Sequence, residues 1–545
     1  MQCKRILCAL LASLMLLPLA ACGNTEEDTG TSTSTTNDAT DAETGEETKA
    51  TLDLPEKRFD DFELTFITRD EAEWSTVEII PDTTSDFVNI AEAVTERNEI
   101  LKSQYGVTLK ELKTDTSSYA TKVNKETMSP SGDFQAIISR MDTAAGLVQQ
   151  GSLIDLSAEE CTQYINFNKP WWDGKMVKDL TIDGKVYFAT GDILTSDNDG
   201  TFALLFNKKI ATEVKMPDLY KMVDNGTWTM DQMYTFEGLA INDKNGDGKL
   251  SYDTDVCGFA YTGDSPFCIT YAGGLQIIRL EDGELVYNLD VSRASNVADK
   301  AVRLFAKDLT VDMNAPGTNV VEIGQKCFGE NHALFFGECM QCVSRMRNYD
   351  VDFGILPFPK YDEEQTSYYS MMHLVGGVVS VPRSVQGEAR ERVAYLLEAI
   401  SYHSVSTLTH LYYELNLKTK NAKDAESGPM IDLILANRVY DVAYTYQLGG
   451  VVANVASAML PDSKKNVAVV ARTAESSINR GLKNLRKSIA KAEKKFADFI
   501  NYEKVETYKD FGGIRNEEDY LITETGARRL GKKIPLTPDE VEALR

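Results

Sequence analysis

The sequence predicts an α/β protein of two lobes, and three observations carry that prediction. Apolar runs of strand length alternate with stretches of helical periodicity. The part of the chain able to fold, from about residue 58 onward, is too long for one core. A long amphipathic helix lies near the carboxyl end. Phe62 to Thr68 (FELTFIT) reads as a buried strand, ending in a polar loop at Arg69-Asp70-Glu71. Phe87, Ile90, Val94, Leu101 and Tyr105 keep one face at helical spacing, and Gly106 follows as a stop. Val107 to Leu112 is a second strand, Ser117 to Met128 a helix, and Phe134 to Ser139 (FQAIIS) a third strand. This order predicts a parallel sheet with right-handed crossovers and with ligand groups at the carboxyl ends of its strands. Near the far end, Ile478, Leu482, Leu485, Ile489, Phe496 and Ile500 form an apolar stripe. Between them lie Arg480, Lys483, Arg486, Lys487, Lys491, Lys494 and Lys495, read as a solvated face, with contact to acidic lipid or a partner as the alternative.

The amino end is read separately. Lys4 and Arg5 precede an apolar run, Ile6 to Leu19, that is too short for a membrane span, so residues 1–21 read as a signal peptide. Leu19-Ala20-Ala21-Cys22 resembles a lipobox, which implies cleavage before Cys22 and lipid on its thiol. Residues 22–57 are expected to be a disordered acidic tether, because Gly23 to Lys57 holds ten acidic residues, two lysines and almost nothing apolar.

Composition excludes one class of partner. A net charge of −26 offers no basic face for phosphates, so nucleic acid is ruled out. Once Cys3, Cys8 and Cys22 are set aside, Cys161, Cys257, Cys268, Cys327, Cys339 and Cys342 remain. Outside the cell such a set permits disulfides of unreadable connectivity. Cys339-Met-Gln-Cys342 has redox or half-zinc spacing, but nothing completes a metal site, so a structural or buried role is expected.

Several further stretches carry a resemblance. Gly184-Lys-Val-Tyr-Phe-Ala-Thr-Gly191 is followed by Phe202-Ala-Leu-Leu-Phe-Asn-Lys-Lys209, and Gly226-Thr-Trp-Thr-Met-Asp231 reads as a capped helix start. Ala333-Leu-Phe-Phe-Gly337 and Val351-Asp-Phe-Gly-Ile-Leu-Pro-Phe-Pro359 precede Val375-Gly-Gly-Val-Val-Ser-Val-Pro382 and a helix at Ala389 to Tyr402. In order and spacing, over roughly residues 58 to 500, these resemble the extracellular solute-binding proteins of ABC importers, in particular the larger sugar-type (family 1-like) lipoproteins of Gram-positive bacteria. The resemblance implies a periplasmic-binding-protein-like fold of the class II type, with two lobes that are each a central sheet flanked by helices, plus extra carboxyl-terminal helices. Lobe 1 would be 58–195, completed by about 375–402. Lobe 2 would be 196–374, completed by about 403–502, and 503–545, with the capped start Thr537-Pro-Asp-Glu540, would be an extension of unknown role. It also implies capture of a carbohydrate, most simply an oligosaccharide, by a monomer anchored on the outer face of the cell membrane, and delivery to permease subunits driven by separate ATPases. A binder of peptide or another solute is the alternative within the class, and a secreted cell-surface glycan hydrolase the alternative outside it.

The residues themselves give one metal motif and no catalytic one. Asp243, Asn245 and Asp247 with Gly248, then Lys249, Ser251, Asp253 and Asp255, follow the spacing of an EF-type calcium loop, although Thr254 stands where the bidentate acid belongs. A structural Ca2+ is expected there, an ordinary acidic turn being the alternative, and no cofactor is required. His332, His373, His403 and His410 have no companion motif, and there is no Gly-x-Ser-x-Gly elbow or phosphate loop, so no catalytic residue is assigned. Ligand contacts are expected from loops at strand carboxyl ends and at the crossings: Asp70, Trp74, Arg140, Asp142, Trp171, Trp172, Asp197, Asn198, Glu338, Met371 and His373. One ring of the pair Trp171 and Trp172 is expected to wall the cleft while the other anchors the core.

Overall fold

The computed structural model describes residues 50–71, 74–82, 88–314, 319–412, 425–499, 519–523 and 526–530. Cys22, the signal segment, Phe87, Ile500 and most of the carboxyl-terminal extension lie outside the described residues.

The first sheet is built from β1 (Phe62–Asp70), β2 (Val107–Asp115), β3 (Ala136–Arg140) and one strand from far along the chain, β12 (Gly377–Ser380), in the order β12-β3-β1-β2. β1 is parallel to β2 and β3, whereas β12 runs antiparallel to β3. Helices Val88–Tyr105, Thr116–Met128 and Met141–Gln150 connect and cover these strands. Gly106 ends the first of them at φ +67°, with its amide on the Lys102 carbonyl, a left-handed cap that suits a residue without Cβ. Alternate β1 residues feed two cores, Leu64 and Phe66 on one face and Ile67 on the other, as expected of a sheet covered on both sides.

The second sheet contains β4 (Phe202–Asn207), β5 (Cys257–Tyr261), β8 (Thr310–Asp312), β9 (Ala333–Cys339) and β10 (Phe353–Leu356), in the order β10-β4-β9-β5-β8. β5 is parallel to β8 and β9, and β4 is antiparallel to β9 and β10. A hairpin, β6 (Ile278–Glu281) and β7 (Glu284–Tyr287), and a short pair, β11 (Ser370–Met371) with β13 (Arg438–Val439), complete this half. A separate hairpin pairs β14 (Asp519–Thr523) with β15 (Gly526–Leu530).

Three segments join the halves. The chain leaves the first sheet beside β12, where Ala189 bridges Val379, and enters the second as β4 after Thr201 bridges Met372. It returns through β11 and residues 372–376 into β12. Here a Cβ on Gly376 would fall 1.7 Å from the Met372 methyl, and one on Gly377 2.2 Å from Oγ of Ser196, so close backbone approach fixes the glycine pair. The third crossing leaves helix Glu388–Ser404 as a π-helical turn over residues 405–412. Thr409 and Tyr412 in that turn donate to Asp192 and Asp199 of the first crossing.

Two expectations need correction. Residues 50–57 are not part of a free tether: Leu52 and Leu54 pack on the first lobe, the Tyr395 hydroxyl donates to the Pro55 carbonyl at 2.8 Å, and Lys169 pairs with Asp53 at 2.5 Å. Two leucines supplied enough apolar surface to hold the segment down. The helix Val467–Phe499 does not complete the second lobe alone. Its first half packs on helix Val291–Leu304, and the Tyr287 hydroxyl reaches the Ala471 carbonyl; its second half packs on Met141–Gln150, with Glu493 on Lys185 and Tyr187 and Arg486 on Asp183. Ile478, Leu482, Leu485 and Ile489 are buried along this line, while Arg480, Lys483, Lys487, Lys491 and Lys494 face solvent.

Candidate binding site

A cavity of about 420 Å³ opens where the carboxyl ends of the parallel strands of the second sheet face the first lobe. Thr262, Gly263 and Asp264 follow β5, Asn314 follows β8, and Glu338 and Cys339 end β9, with Gln341 and Arg345 on the short helix behind them. Phe202 comes from the start of antiparallel β4, His373 from the return crossing, and Trp74 from the loop after β1. A sheet whose parallel strands all point at one edge brings loops distant in sequence to a single place, which is the reason ligands collect there.

The chemistry of this cavity is mixed. Glu338 is nearly enclosed and accepts the Cys339 amide at 2.9 Å. Burial, with the Asp264 carboxylate adding to it, pushes its carboxyl up to about 7, so it takes or gives a hydrogen bond according to pH. His373 accepts the Val375 amide through Nδ1 at 3.2 Å, which leaves its proton on Nε2, 3.5 Å from Asp264. Its ring lies 5.8 Å from that of Phe202. Arg345 donates to Gln341 at 3.0 Å. Trp74, half-buried, is the aromatic surface contributed by the first lobe.

The structure thus brings Trp74, Glu338 and His373 together and puts the other expected residues elsewhere. Asp70 is the last residue of β1 and is exposed outside the cavity; the expected loop at Arg69-Asp70 is strand, with Arg69 buried and bonded to the Val375 carbonyl at 2.6 Å. Arg140 and Asp142 engage each other through two hydrogen bonds of 3.0 and 2.9 Å, and Glu71 takes a third at 3.3 Å. Asp197 and Asn198 accept from Arg438, which also holds Asp173, whose carboxylate accepts the Tyr440 hydroxyl. That network is buried at the crossings, and Met371 is buried beside it in β11. Trp171 and Trp172 are both core residues, against the expectation that one would wall the cleft: Trp172 packs on Phe167 and donates to Glu398 at 2.7 Å, and Trp171 packs on Tyr402.

Asp264, Asn314, Gln341, Arg345, Thr262 and Phe202 went unread. The signal for three of them was present, since Cys257–Tyr261 and Thr310–Asp312 are short strands whose following residues fall under the same carboxyl-end rule.

The calcium expectation concerns an exposed loop away from this cavity. There Asp243 accepts the Gly246 and Gly248 amides at 2.7 and 2.9 Å, Asn245 that of Asp247, and Asp247 that of Lys249. Asp255, buried, closes the loop by accepting Lys244 and Ser251. Among the described residues no three His, Cys, Asp or Glu side chains group so as to hold a metal, so an ion here would need Asn245, Ser251 and backbone carbonyls as well. All six described cysteines are free and buried, with no disulfide among them.

No protein-family model matches the sequence, and neither does any curated protein. Solved structures do match in fold. The cyclic alpha-maltosyl-1,6-maltose binding protein from Arthrobacter globiformis superposes with a TM-score of 0.50 at 15% identity, covering 77% of this chain and 99% of that one. A sugar transporter from Rhizobium etli in an open conformation gives 0.49 at 14% identity, over 78% and 99%. The substrate-binding protein Lmo0181 from Listeria monocytogenes, in complex with cycloalternan, gives 0.47 at 11% identity, over 79% and 100%. At 15% identity and a TM-score of 0.50, the likeness to the Arthrobacter globiformis protein shows that this chain shares its fold.

Proposed function

We propose that the chain is the substrate-binding subunit of an ABC importer, that it captures a carbohydrate between its lobes, and that it performs no chemistry on it. The observation that carries this reading is the composition of the cavity: an indole from one lobe opposite carboxyl, amide and guanidinium groups from the other. Sugar rings present apolar C–H faces to an aromatic ring and hydroxyls to polar side chains. Contacts from both lobes favour the closed form, because ligand shifts an equilibrium only through its differential affinity for the two states. The Arthrobacter globiformis protein of the same fold is named for binding cyclic alpha-maltosyl-1,6-maltose, which makes linear and cyclic saccharides of that kind the first compounds to try.

A thermal-shift screen of linear and cyclic glucans, followed by calorimetry on the compounds that stabilise the protein, tests the reading. Ligand at one hundred times its Kd adds about 2.7 kcal/mol to stability. Turnover of any glycan by the pure protein, or no stabilisation by any saccharide in the panel, overturns it.

The anchor and the calcium ion belong to the same proposal. Lipid on Cys22 would hold the protein at the outer face of the cell membrane, and Cys22→Ala would release it; a variant still found with membranes speaks against this. Calcium at Asp243, Asn245, Asp247 and the residues after them would make the melting temperature sensitive to chelator, and Asp247→Ala would abolish the sensitivity. Equal melting with calcium and with chelator leaves an acidic turn.

A further inference from the structure

A second cavity, of about 230 Å³, lies where the two lobes meet beside the short pair β11–β13, and none of its lining residues lines the first. Its walls come from different parts of the chain. Lys175 belongs to the helix Gly174–Asp179, which packs on β6; Arg279 is in β6 itself; Gln276 precedes it; Tyr271 ends a helix of the second lobe; and Tyr369 precedes β11. At about 30 Å³ for each water in the liquid, the space is that of about eight waters, the size of a monosaccharide.

Three features of this lining point to a ligand. The Tyr271 hydroxyl is buried and faces the Asp441 carboxylate without a hydrogen bond of full geometry, an arrangement that costs free energy unless something in the space beside it completes the hydroxyl's partners. The neighbouring carboxylate, Asp441, is engaged with the Ile277 and Ala443 amides at 2.6 and 2.8 Å. The mouth carries two cations: Lys175, which also pairs with Asp179, and Arg279, which has no ionic partner among the described residues. Gln276 spends its amide nitrogen on the Tyr440 carbonyl at 3.0 Å, so its side-chain oxygen is the free acceptor. The site therefore offers a donor at the floor, an acceptor on the wall and positive charge at the rim. A neutral apolar guest would leave the hydroxyl unpaired, and a bare cation would meet Lys175 and Arg279.

We propose that this cavity is a second ligand site, for a small hydroxylated molecule that carries an oxyanion: a phosphorylated sugar or a sugar acid. Arg279 and Lys175 hold the anion, charge-assisted and geometrically demanding in the case of the guanidinium. Tyr271 and Gln276 take the hydroxyls. Because Lys175 stands on the first lobe and Arg279 on the second, an occupant ties the two walls together and favours the lobe arrangement in which both reach it.

The test uses the full chain and four probes at equal millimolar concentration: inorganic phosphate, glucose 6-phosphate, glucuronate and glucose. Melting temperature is measured first, then affinity by calorimetry. Each is repeated in the Trp74→Ala background, so that binding in the first cavity is told apart from binding here. Stabilisation by glucose 6-phosphate or by glucuronate, retained in Trp74→Ala and weakened about tenfold or more by Arg279→Ala and by Tyr271→Phe, supports the site, and the two anionic sugars decide between phosphate and carboxylate. Tyr271→Phe keeps the ring, so its effect reports the hydroxyl and not a collapsed wall. Equal stabilisation by glucose removes the role of charge, equal stabilisation by inorganic phosphate removes the role of the sugar, and an affinity unchanged in both variants, or no shift with any probe, removes the site; each of these overturns the proposal.

Discussion

Nε2 of His373 lies 3.5 Å from a carboxylate oxygen of Asp264, and this pair joins the return crossing to a loop of the second lobe at the edge of the cavity. The backbone around the histidine also ties both lobes: its own amide donates to the Gly200 carbonyl, while the next residues accept from Met141 and Arg69. His373 is therefore placed to feel both ligand and hinge. His373→Ala and Trp74→Ala are each expected to weaken binding of a glycan found by the screen by on the order of tenfold, with little change in the melting temperature of the free protein. Calorimetry beside thermal melts separates the two quantities. Wild-type affinity in both variants would move the sugar site away from this cavity.

Arg438 holds Asp173 at 2.8 Å and Asp197 at 3.1 Å in a buried network. Removing the guanidinium leaves two carboxylates desolvated without a counter-charge, so Arg438→Ala is expected to cost about 3–5 kcal/mol in urea unfolding. The double change with Asp197→Asn should recover part of that loss. A cost below about 1 kcal/mol would mean that water reaches the network.

Glu237 is fully buried on the helix Met230–Ala240, and neither of its carboxyl oxygens has a hydrogen-bond partner. Burial pushes its pKa well up, so the group is carried as the neutral acid. Glu237→Met, of similar volume, is expected to stabilise the protein by about 1–3 kcal/mol, since it removes two unsatisfied polar atoms without opening a cavity. A lower unfolding midpoint in the variant would show that the carboxyl has a partner in solution, such as an internal water.

Acid should stabilise this protein over part of the pH range. Burial raises Glu338, Asp197, Asp199, Glu398 and Asp441 to about 7 and Asp192 to about 6. A carboxyl whose folded pKa lies above its unfolded value binds more protons folded than unfolded; its contribution is present below the unfolded pKa near 4 and is lost as pH rises through the folded one. His403 acts the other way, because burial lowers it to about 4 and its contribution is lost as pH falls toward that value. Six carboxyls against one imidazole leave a net loss of stability between about pH 5 and about pH 8. Melting temperatures across that interval measure it, and a flat or rising profile would show that these carboxyls stay ionised in the fold.

Strands were legible where an apolar run is bounded by polar or glycine residues, and FELTFIT, FQAIIS and ALFFG lie where their pattern put them, whereas the short strands Cys257–Tyr261 and Thr310–Asp312 of the second sheet went unread. Of the site, legibility stopped at residues adjacent to such a run, Trp74 and Glu338, and at His373 beside the glycines of the crossing. Contacts made across long sequence separations left no local signal. Glu398 is 226 residues from Trp172, and only that distant carboxyl explains why the second indole of the pair turns inward and stays there. Gly191 adds to this, because a Cβ there would sit 2.2 Å from the Trp171 carbonyl. Arg438 likewise converts Asp197 and Asn198 from apparent ligand groups into parts of the hinge.

The long helix Val467–Phe499 alters what opening and closing can mean mechanically. At about 1.5 Å per residue its 33 residues form a rod some 50 Å long, seated on the second lobe near Ala471 and on the first near Glu493. Between the two seats it packs on the segment Leu448–Gly450, where Gly481 meets Leu448 and Ser477 meets Gly449. A helix seated on both lobes resists any movement that separates its two seats, because one seat must then give up its contacts. At its far end the helix is held to the first lobe by the half-exposed pairs of Glu493 with Lys185 and of Arg486 with Asp183, at the periphery of the molecule.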